Sequence, residues 1–409
     1  MVEADTTREN TVSTARSLTL LPALALGLVG LAALATWQGA PPTGLAPTGL
    51  APTVQAPVSD GQRPVIELVF AIDTTGSMSG LLEGAKAKVW SIVDQFASGQ
   101  PRPEIRVGLV AYRDRGDDYV TKVVPLSDDL DAVWAALLEL QAGGGGDGPE
   151  SVNQAVYEAV TAMQWTARAP EGPPIYRALF VVGDAPPHID YAGDVPYATS
   201  VAQAVQQGIG VHAVQCGSSA DAREHFEEIA RLGGGAYLPI AQDGGMAQVE
   251  TPMDAELAAL NRELAGTALA WGSVEEQAEL GGKLARALGA DSALSAARGS
   301  YLSKGGGRVN SGRKDLVAAV ADGEVAVADV AVSELPPPLQ AMSVAEREAT
   351  VAAHAARRRE LQARVATVVT ERDRWLAQES RRGGTADAFD ARVQAEVIGD
   401  LKALGYIDY

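Results

Sequence analysis

From Val65 onward, apolar runs short enough to be buried strands alternate with stretches whose apolar residues recur every three or four positions. The runs predict strands at 65–72, 105–112, 178–183, 211–216 and 236–240, and an edge strand at 120–125 that ends on Pro125. The helical periodicity predicts helices over about 80–96, 128–141, 151–165, 197–207 and 221–232. Strands and helices alternating in this way imply an α/β fold: a doubly wound, mostly parallel sheet with helices on both faces. After about residue 250 the strand signal stops and the chain becomes Ala-rich and helical. Ser343-Val344-Ala345-Glu346 has the form of a capping box, opening a long helix to about Glu379 with Leu361, Val365, Val368 and Trp375 on one stripe. Phe389, Val393, Val397 and Leu401, spaced by four, predict a second amphipathic helix after the break at Arg381-Arg382-Gly383-Gly384. The two are expected to pack on each other or on the α/β domain. Arg357-Arg358-Arg359 reads as a solvated face of the long helix rather than an anion site.

The pattern before Val65 is different in kind. Leu18 to Trp37 is an almost uncharged apolar stretch preceded by Arg8 and Arg16, with Pro22, Gly27 and Gly30 inside it. It reads as a signal peptide, with Ala33-Leu34-Ala35 as a small-residue cleavage site, or as a membrane anchor long enough to span a bilayer. Arg16 just before it favours a cytoplasmic N-terminus with the remainder outside. Residues 41–64 repeat Pro-Thr-Gly-Leu-Ala twice and form a Pro-rich linker, extended at roughly 3.1 Å per residue. The expected organisation is therefore 1–40 signal or anchor, 41–64 linker, 65–250 α/β domain and 251–409 helical region. The expected location is the cell envelope, either anchored and facing outward or secreted if residues 1–35 are removed.

Composition narrows the partners. With 52 acidic against 33 basic residues the net charge is −19, which disfavours nucleic acid as a ligand. Cys216 is the only cysteine, so no intrachain disulfide forms, and its apolar run predicts core filling.

The candidate chemistry sits where predicted strands end. Asp73-Thr74-Thr75-Gly76-Ser77 follows the first strand and offers a carboxylate and hydroxyls at alternate positions, hard oxygen donors that suit Mg²⁺ or Mn²⁺, with Ca²⁺ as a further candidate. Gly143-Gly144-Gly145-Gly146-Asp147-Gly148-Pro149-Glu150 is an acid-bearing loop before a helix, and Asp184 ends the strand at 178–183. Loops at the carboxyl ends of parallel strands meet in one crevice, so the three segments can share an ion.

On these residues the chain resembles a von Willebrand factor type A (VWA) domain with a metal-ion-dependent adhesion site. Asp73, Thr75, Ser77 and Asp184 match the family's Asp-x-Ser/Thr-x-Ser and strand-end Asp. No threonine follows the glycines; instead Asp147-Gly148-Pro149-Glu150 and Asp184-Ala185-Pro186-Pro187-His188 are similar to the Asp-x-Pro-Glu and Asp-Ala-x-x-His segments of integrin β I-like domains. The resemblance implies direct ligation by Thr75, Ser77 and Glu150, with Asp73 and Asp184 acting through waters and Asp147 at a neighbouring position or in the loop. It also implies an open coordination position for a partner protein's Asp or Glu. Ser79-Gly80-Leu81-Leu82 carries no carboxylate, so no adjacent metal site is expected there.

Tyr112-Arg113-Asp114, together with the glycine-rich loop, resembles VWA domains of alpha-kinase-associated proteins, although no kinase part follows. The mixed-charge segment 112–119 reads as a solvated turn, the alternative being that its acids join the binding face. The C-terminal region resembles the tails of bacterial VWA proteins.

No phosphate-binding loop is present, because Gly307 to Lys314 lacks the final hydroxyl, and neither His-Glu-x-x-His nor Gly-x-Ser-x-Gly occurs. The expectation is a non-enzymatic, metal-dependent protein-binding module. Its rivals are a metal-assisted hydrolase with His188 or Asp190 as base, and a metal-free structural assembly protein.

Overall fold

The first strand, β1 (Val65–Asp73), lies at the centre of a six-stranded sheet with β2 (Glu104–Tyr112), β3 (Thr121–Ser127), β4 (Ile175–Gly183), β5 (Gly210–Cys216) and β6 (Gly234–Ile240). This computed structural model describes residues 64–97, 103–167, 175–240, 251–289, 292–304, 314–381 and five positions between 393 and 402. The apolar stretch at 18–37, the linker before residue 64, and Phe389 and Val397 of the second C-terminal helix lie outside the described residues. Among those described, no helix is long and apolar enough to cross a membrane.

The strand order is β3-β2-β1-β4-β5-β6, with only β3 antiparallel to its neighbour. Side chains alternate across a strand, and both faces of this sheet are covered, which is why the central strands read as continuous apolar runs. Ile66, Leu68, Phe70 and Ile72 pack on one face against α1 (Leu82–Ala97) and α2 (Leu130–Glu139). Val69 and Ala71 pack on the other, against α3 (Val152–Thr161), α4 (Tyr197–Gln206) and α5 (Ala220–Gly233). Cys216 is fully buried in the first of these cores, as its surroundings in the sequence suggested. β3 is the exposed edge and carries Pro125, which cannot donate to a ladder.

The order places a topological switch between β1 and β4: the chain leaves β1 toward β2 and later returns to β1's other side. A crevice opens at such a point beyond the carboxyl ends of the strands. Asp73 and Asp184 stand on its two sides, at the ends of β1 and β4.

The helical region follows, with α6 (Asp254–Ala265), α7 (Val274–Gly289), α8 (Ser292–Lys304), α9 (Leu316–Ala321), α10 (Pro337–Gln340) and α11 (Val344–Arg381). The capping box forms: the Ser343 amide donates to Glu346 Oε2 at 2.8 Å and the Glu346 amide to Ser343 Oγ at 3.4 Å. Leu361, Val365 and Val368 pack against Leu257, Leu260 and Leu264 of α6, while Trp375 is half-buried. The region also grips the sheet's helical cover. Arg298 of α8 donates twice to Asp131 of α2, Lys283 of α7 lies 2.7 Å from Asp129, and Val393 and Leu401 belong to the same hydrophobic core as α1 and α2.

Arg358 corrects an expectation. Of the three consecutive arginines, Arg357 and Arg359 are exposed, but Arg358 is buried, with Nη1 2.7 Å from Asp315 Oδ2 and Nε donating to Thr267 Oγ1. Successive helical residues point about 100° apart, so the middle of three faces the packed side even when its neighbours are solvated.

Candidate metal centre

The turn after β1 is held from three directions. The Thr74 amide donates to the Tyr112 carbonyl, the Gly143 amide to the Thr74 carbonyl and the Gly76 amide to the Gly144 carbonyl. A Cβ on Gly76 would come within 2.8 Å of the Gly144 oxygen, so this close approach requires glycine. The acidic loop is tied in turn to the segment after β4: the Glu150 amide donates to the Pro186 carbonyl and the His188 amide to the Glu150 carbonyl. Backbone hydrogen bonds therefore fix three distant segments around one crevice before any side chain is considered.

Within it, Thr75 Oγ1 donates to Asp73 Oδ1 at 2.6 Å and lies 3.1 Å from Ser77 Oγ, which donates to Asp184 Oδ1 at 2.8 Å. The cleft, about 400 Å³, is lined by Ser77, Gly145, Asp147, Glu150, Asp184 and Asp221 among others. Asp73 is fully buried and Glu150 nearly so, yet Asp73 Oδ2 and Glu150 Oε2 accept no hydrogen bond. Burial, reinforced by the charge of Asp184, pushes the Asp73 carboxyl up to about 7. Burial, with the charges of Asp73 and Asp114, pushes Glu150 up to about 9. Asp184 is raised as well, again by burial, with the Ser77 hydrogen bond opposing. Buried carboxylates persist as anions only when paired or bound to metal. Two orphaned oxygens among hydroxyls and a third carboxylate form a hard donor set that fits Mg²⁺ or Mn²⁺.

Asp147 takes a different place. Its Oδ1 lies 3.5 Å from His188 Nε2, and Asp114 Oδ2 lies 3.4 Å from the same nitrogen. Asp114, Asp147 and His188 bring one ligand atom each within 4.8 Å of one another, a set able to coordinate a divalent metal. His188 Nδ1 is 2.8 Å from Asp190 Oδ1. Burial alone would lower the His188 pKa, but the hydrogen bond with Asp190 and the charges of Asp114 and Asp147 raise it on balance.

Asp114 is the residue that the reading of 112–119 as a solvated turn missed. It is buried, accepting hydrogen bonds from Ser151 Oγ at 2.8 Å and Tyr191 OH at 2.6 Å. Arg113 is buried too, donating to the carbonyls of Thr74 and Gln141. Arg115 pairs with Asp194 and Asp117 accepts from the Gly145 amide, while Gly116 and Asp118 are exposed as a solvated turn would have them. The segment after β4 folds back over this turn, stacking Tyr191 on His188 with ring centroids 3.9 Å apart. The Tyr-Arg-Asp resemblance and the alternative that the acids of 112–119 join the binding face both pointed toward Asp114; nothing in the sequence singled out Tyr191 or Ser151.

Residues 67–245 match the von Willebrand factor A domain family. Over 87 residues the chain is 38% identical to von Willebrand factor A domain-containing protein 7 of Rattus norvegicus and 37% to that of Homo sapiens. These matches take in 21% of this chain, and the chain covers 9% of the length of those relatives. Among solved structures, an aerotolerance-related membrane protein from Bacteroides fragilis aligns at 17% identity and TM-score 0.31, covering 43% of this chain and 91% of its own. A von Willebrand factor type A protein from Catenulispora acidiphila aligns at 15% identity and TM-score 0.33, covering 46% and 41%. Domains of this type are in general adhesion or assembly modules without catalysis.

Proposed function

We propose that this von Willebrand factor A-type module binds a protein partner through a divalent cation held at the carboxyl ends of β1 and β4. Thr75, Ser77 and Glu150 would hold Mg²⁺ or Mn²⁺ directly, with Asp73 and Asp184 orienting its waters. When bound, the ion supplies an electrophilic position that a partner's Asp or Glu can occupy. The observation that carries this reading is the pair of buried, unpartnered carboxylate oxygens on Asp73 and Glu150, with Glu150 lining the cleft beside Ser77 and Asp184 and Asp73 hydrogen-bonded to Thr75 behind them.

The chain's own residues prepare that position. Asp73 fixes the Thr75 hydroxyl and Asp184 fixes that of Ser77, so both oxygens are already oriented. One direct carboxylate among neutral donors leaves net positive charge to attract another. A hydrolase using His188 as base is less well supported, since His188 does not line the cleft and its Nε2 faces the Asp114 and Asp147 carboxylates at 3.4 and 3.5 Å instead.

The apolar stretch at 18–37 and Arg16 before it support display outside a cytoplasmic membrane, with the cell envelope as the source of partners. The full chain is then expected in the membrane fraction after a high-salt wash, or in the medium as a form beginning near Thr36; a soluble cytoplasmic pool with an intact N-terminus would overturn the placement.

Pull-down from envelope extracts tests the function directly. Capture should survive moderate salt, which screens the long-range repulsion of a chain carrying −19, and should fail in chelator and recover with Mg²⁺. Ser77→Ala should abolish both ion binding by calorimetry and capture. A partner held equally well in chelator would remove the metal face from the interface.

A further inference from the structure

We propose that Asp114, Asp147 and His188 form a second cation site, distinct in its chemistry from the oxygen-lined cleft, that takes a borderline-soft divalent metal such as Zn²⁺ in preference to Mg²⁺. It does not depend on whether the main cleft is occupied.

Three observations converge on it. His188 is 95% buried by its 5% relative exposure, and its Nε2 makes no hydrogen bond. That nitrogen faces two carboxylates, at 3.4 Å to Asp114 Oδ2 and 3.5 Å to Asp147 Oδ1. These separations exceed the roughly 2.7–2.9 Å of a charge-assisted N–H···O⁻ bond, so a proton there would be poorly used. They match the ligand–ligand edge of a tetrahedral zinc site, about 3.4 Å when the bonds to nitrogen and oxygen are near 2.1 Å.

The surroundings are built for the same purpose. His188 Nδ1 is 2.8 Å from Asp190 Oδ1, the arrangement that fixes a histidine's tautomer with its Nε2 lone pair turned to a metal. Asp114 is itself held by Ser151 and Tyr191, and the imidazole is sandwiched against the Tyr191 ring. Two anions facing a nitrogen lone pair repel one another unless a cation sits among them. The nitrogen donor decides which cation: Mg²⁺ and Ca²⁺ take oxygen ligands almost exclusively, whereas imidazole suits zinc. A zinc ion here would tie together the turn carrying Asp114, the glycine-rich loop carrying Asp147 and the segment after β4. Those are the same three pieces that frame Glu150, so the second site would stiffen the wall of the first.

The test uses the full chain, stripped with chelator and dialysed against Zn²⁺ in large excess of Mg²⁺, with bound zinc measured by mass spectrometry and the fold followed by circular dichroism. The wild type and Ser77→Ala should each retain one zinc per chain. His188→Gln should retain none. Asp190→Asn alters a side chain that is 74% exposed, so the fold should be kept while zinc affinity drops by about 10–100-fold. Zinc retained by His188→Gln, zinc lost from Ser77→Ala, or no stoichiometric zinc in the wild type would each overturn the assignment, and none of these results depends on whether a protein partner binds the main cleft.

Discussion

β1 carries a buried carboxylate near each end, and the two are treated in opposite ways. Glu67, near the start of the strand, is fully buried and saturated: Arg106 Nη1 is 2.8 Å away, Arg177 Nε 3.6 Å, and Thr166 donates both its amide and its hydroxyl. Asp73, at the other end of the same strand, is equally buried but meets no cation: one oxygen accepts from the amide and hydroxyl of Thr75, and the other makes no hydrogen bond within the usual limits. Nothing in the local sequence forces this asymmetry, since both residues flank the same apolar run. One end is finished by the protein, and the other, where the proposed cation would sit, keeps a carboxylate oxygen without a partner. A buried charge with its counter-charge supplied belongs to the architecture, and one without it belongs to the function.

The largest expected effect breaks the finished end. Glu67→Gln leaves Arg177 buried without its carboxylate and should destabilise the fold by about 3–5 kcal/mol in chemical denaturation. Asp73→Asn, by contrast, removes a charge that the metal-free protein cannot satisfy, so the metal-free stability should be unchanged or higher. Equal losses in the two variants would erase the distinction between the ends.

How much of this contrast was legible beforehand depends on where each partner comes from. Asp73, Thr75 and Ser77 sit within one turn, and strand-end placement follows from the apolar run before them, so spacing alone brings their side chains together. Asp184 and Glu150 were legible because a parallel sheet gathers strand ends. Asp114 was not: its burial is produced by Tyr191, which arrives from a segment folded back after β4, and isolated sequence shows only a mixed-charge turn. The same holds for Arg358, whose partner Asp315 precedes a different helix, and for the entry of Val393 and Leu401 into the core of the sheet. Local pattern reveals periodicity and ends of elements; it does not reveal which surfaces a later segment covers.

A smaller effect sharpens the unfinished end. With Mg²⁺ at roughly 100 times its dissociation constant, the wild type should gain about 2.7 kcal/mol in stability, and Asp73→Asn and Ser77→Ala should gain almost none. The pH dependence carries the same signature. Asp73 and Glu150 are raised from ordinary carboxylate values to about 7 and about 9, so as pH rises the unfolded chain releases these protons first and the folded state binds more. Metal-free stability should therefore fall between about pH 4 and about pH 9, and Mg²⁺ should flatten the decline by pairing the ionised groups. Melting temperatures across that window, with and without chelator, would decide it. A metal-free profile that is flat or rising would mean that these carboxylates are already compensated within the protein.

The smallest effect comes from the carboxylate that lies between the two extremes. Asp114 is buried like Glu67 and Asp73, but its oxygens are met by two neutral hydroxyls, Ser151 Oγ and Tyr191 OH, rather than by a guanidinium or by nothing. Tyr191→Phe keeps the ring that stacks on His188 and removes only the donor, so the loss should be that of one hydrogen bond to a charged acceptor, about 1.5 kcal/mol. That is well below the cost expected for Glu67→Gln, because Ser151 remains and no buried cation loses its counter-charge. A loss below a few tenths of a kcal/mol in urea denaturation would mean that water replaces the hydroxyl and that Asp114 is less enclosed than its burial indicates. A loss as large as that of Glu67→Gln would place Asp114 with the architectural carboxylates, leaving the orphaned oxygens of Asp73 and Glu150 as the whole of the unfinished end.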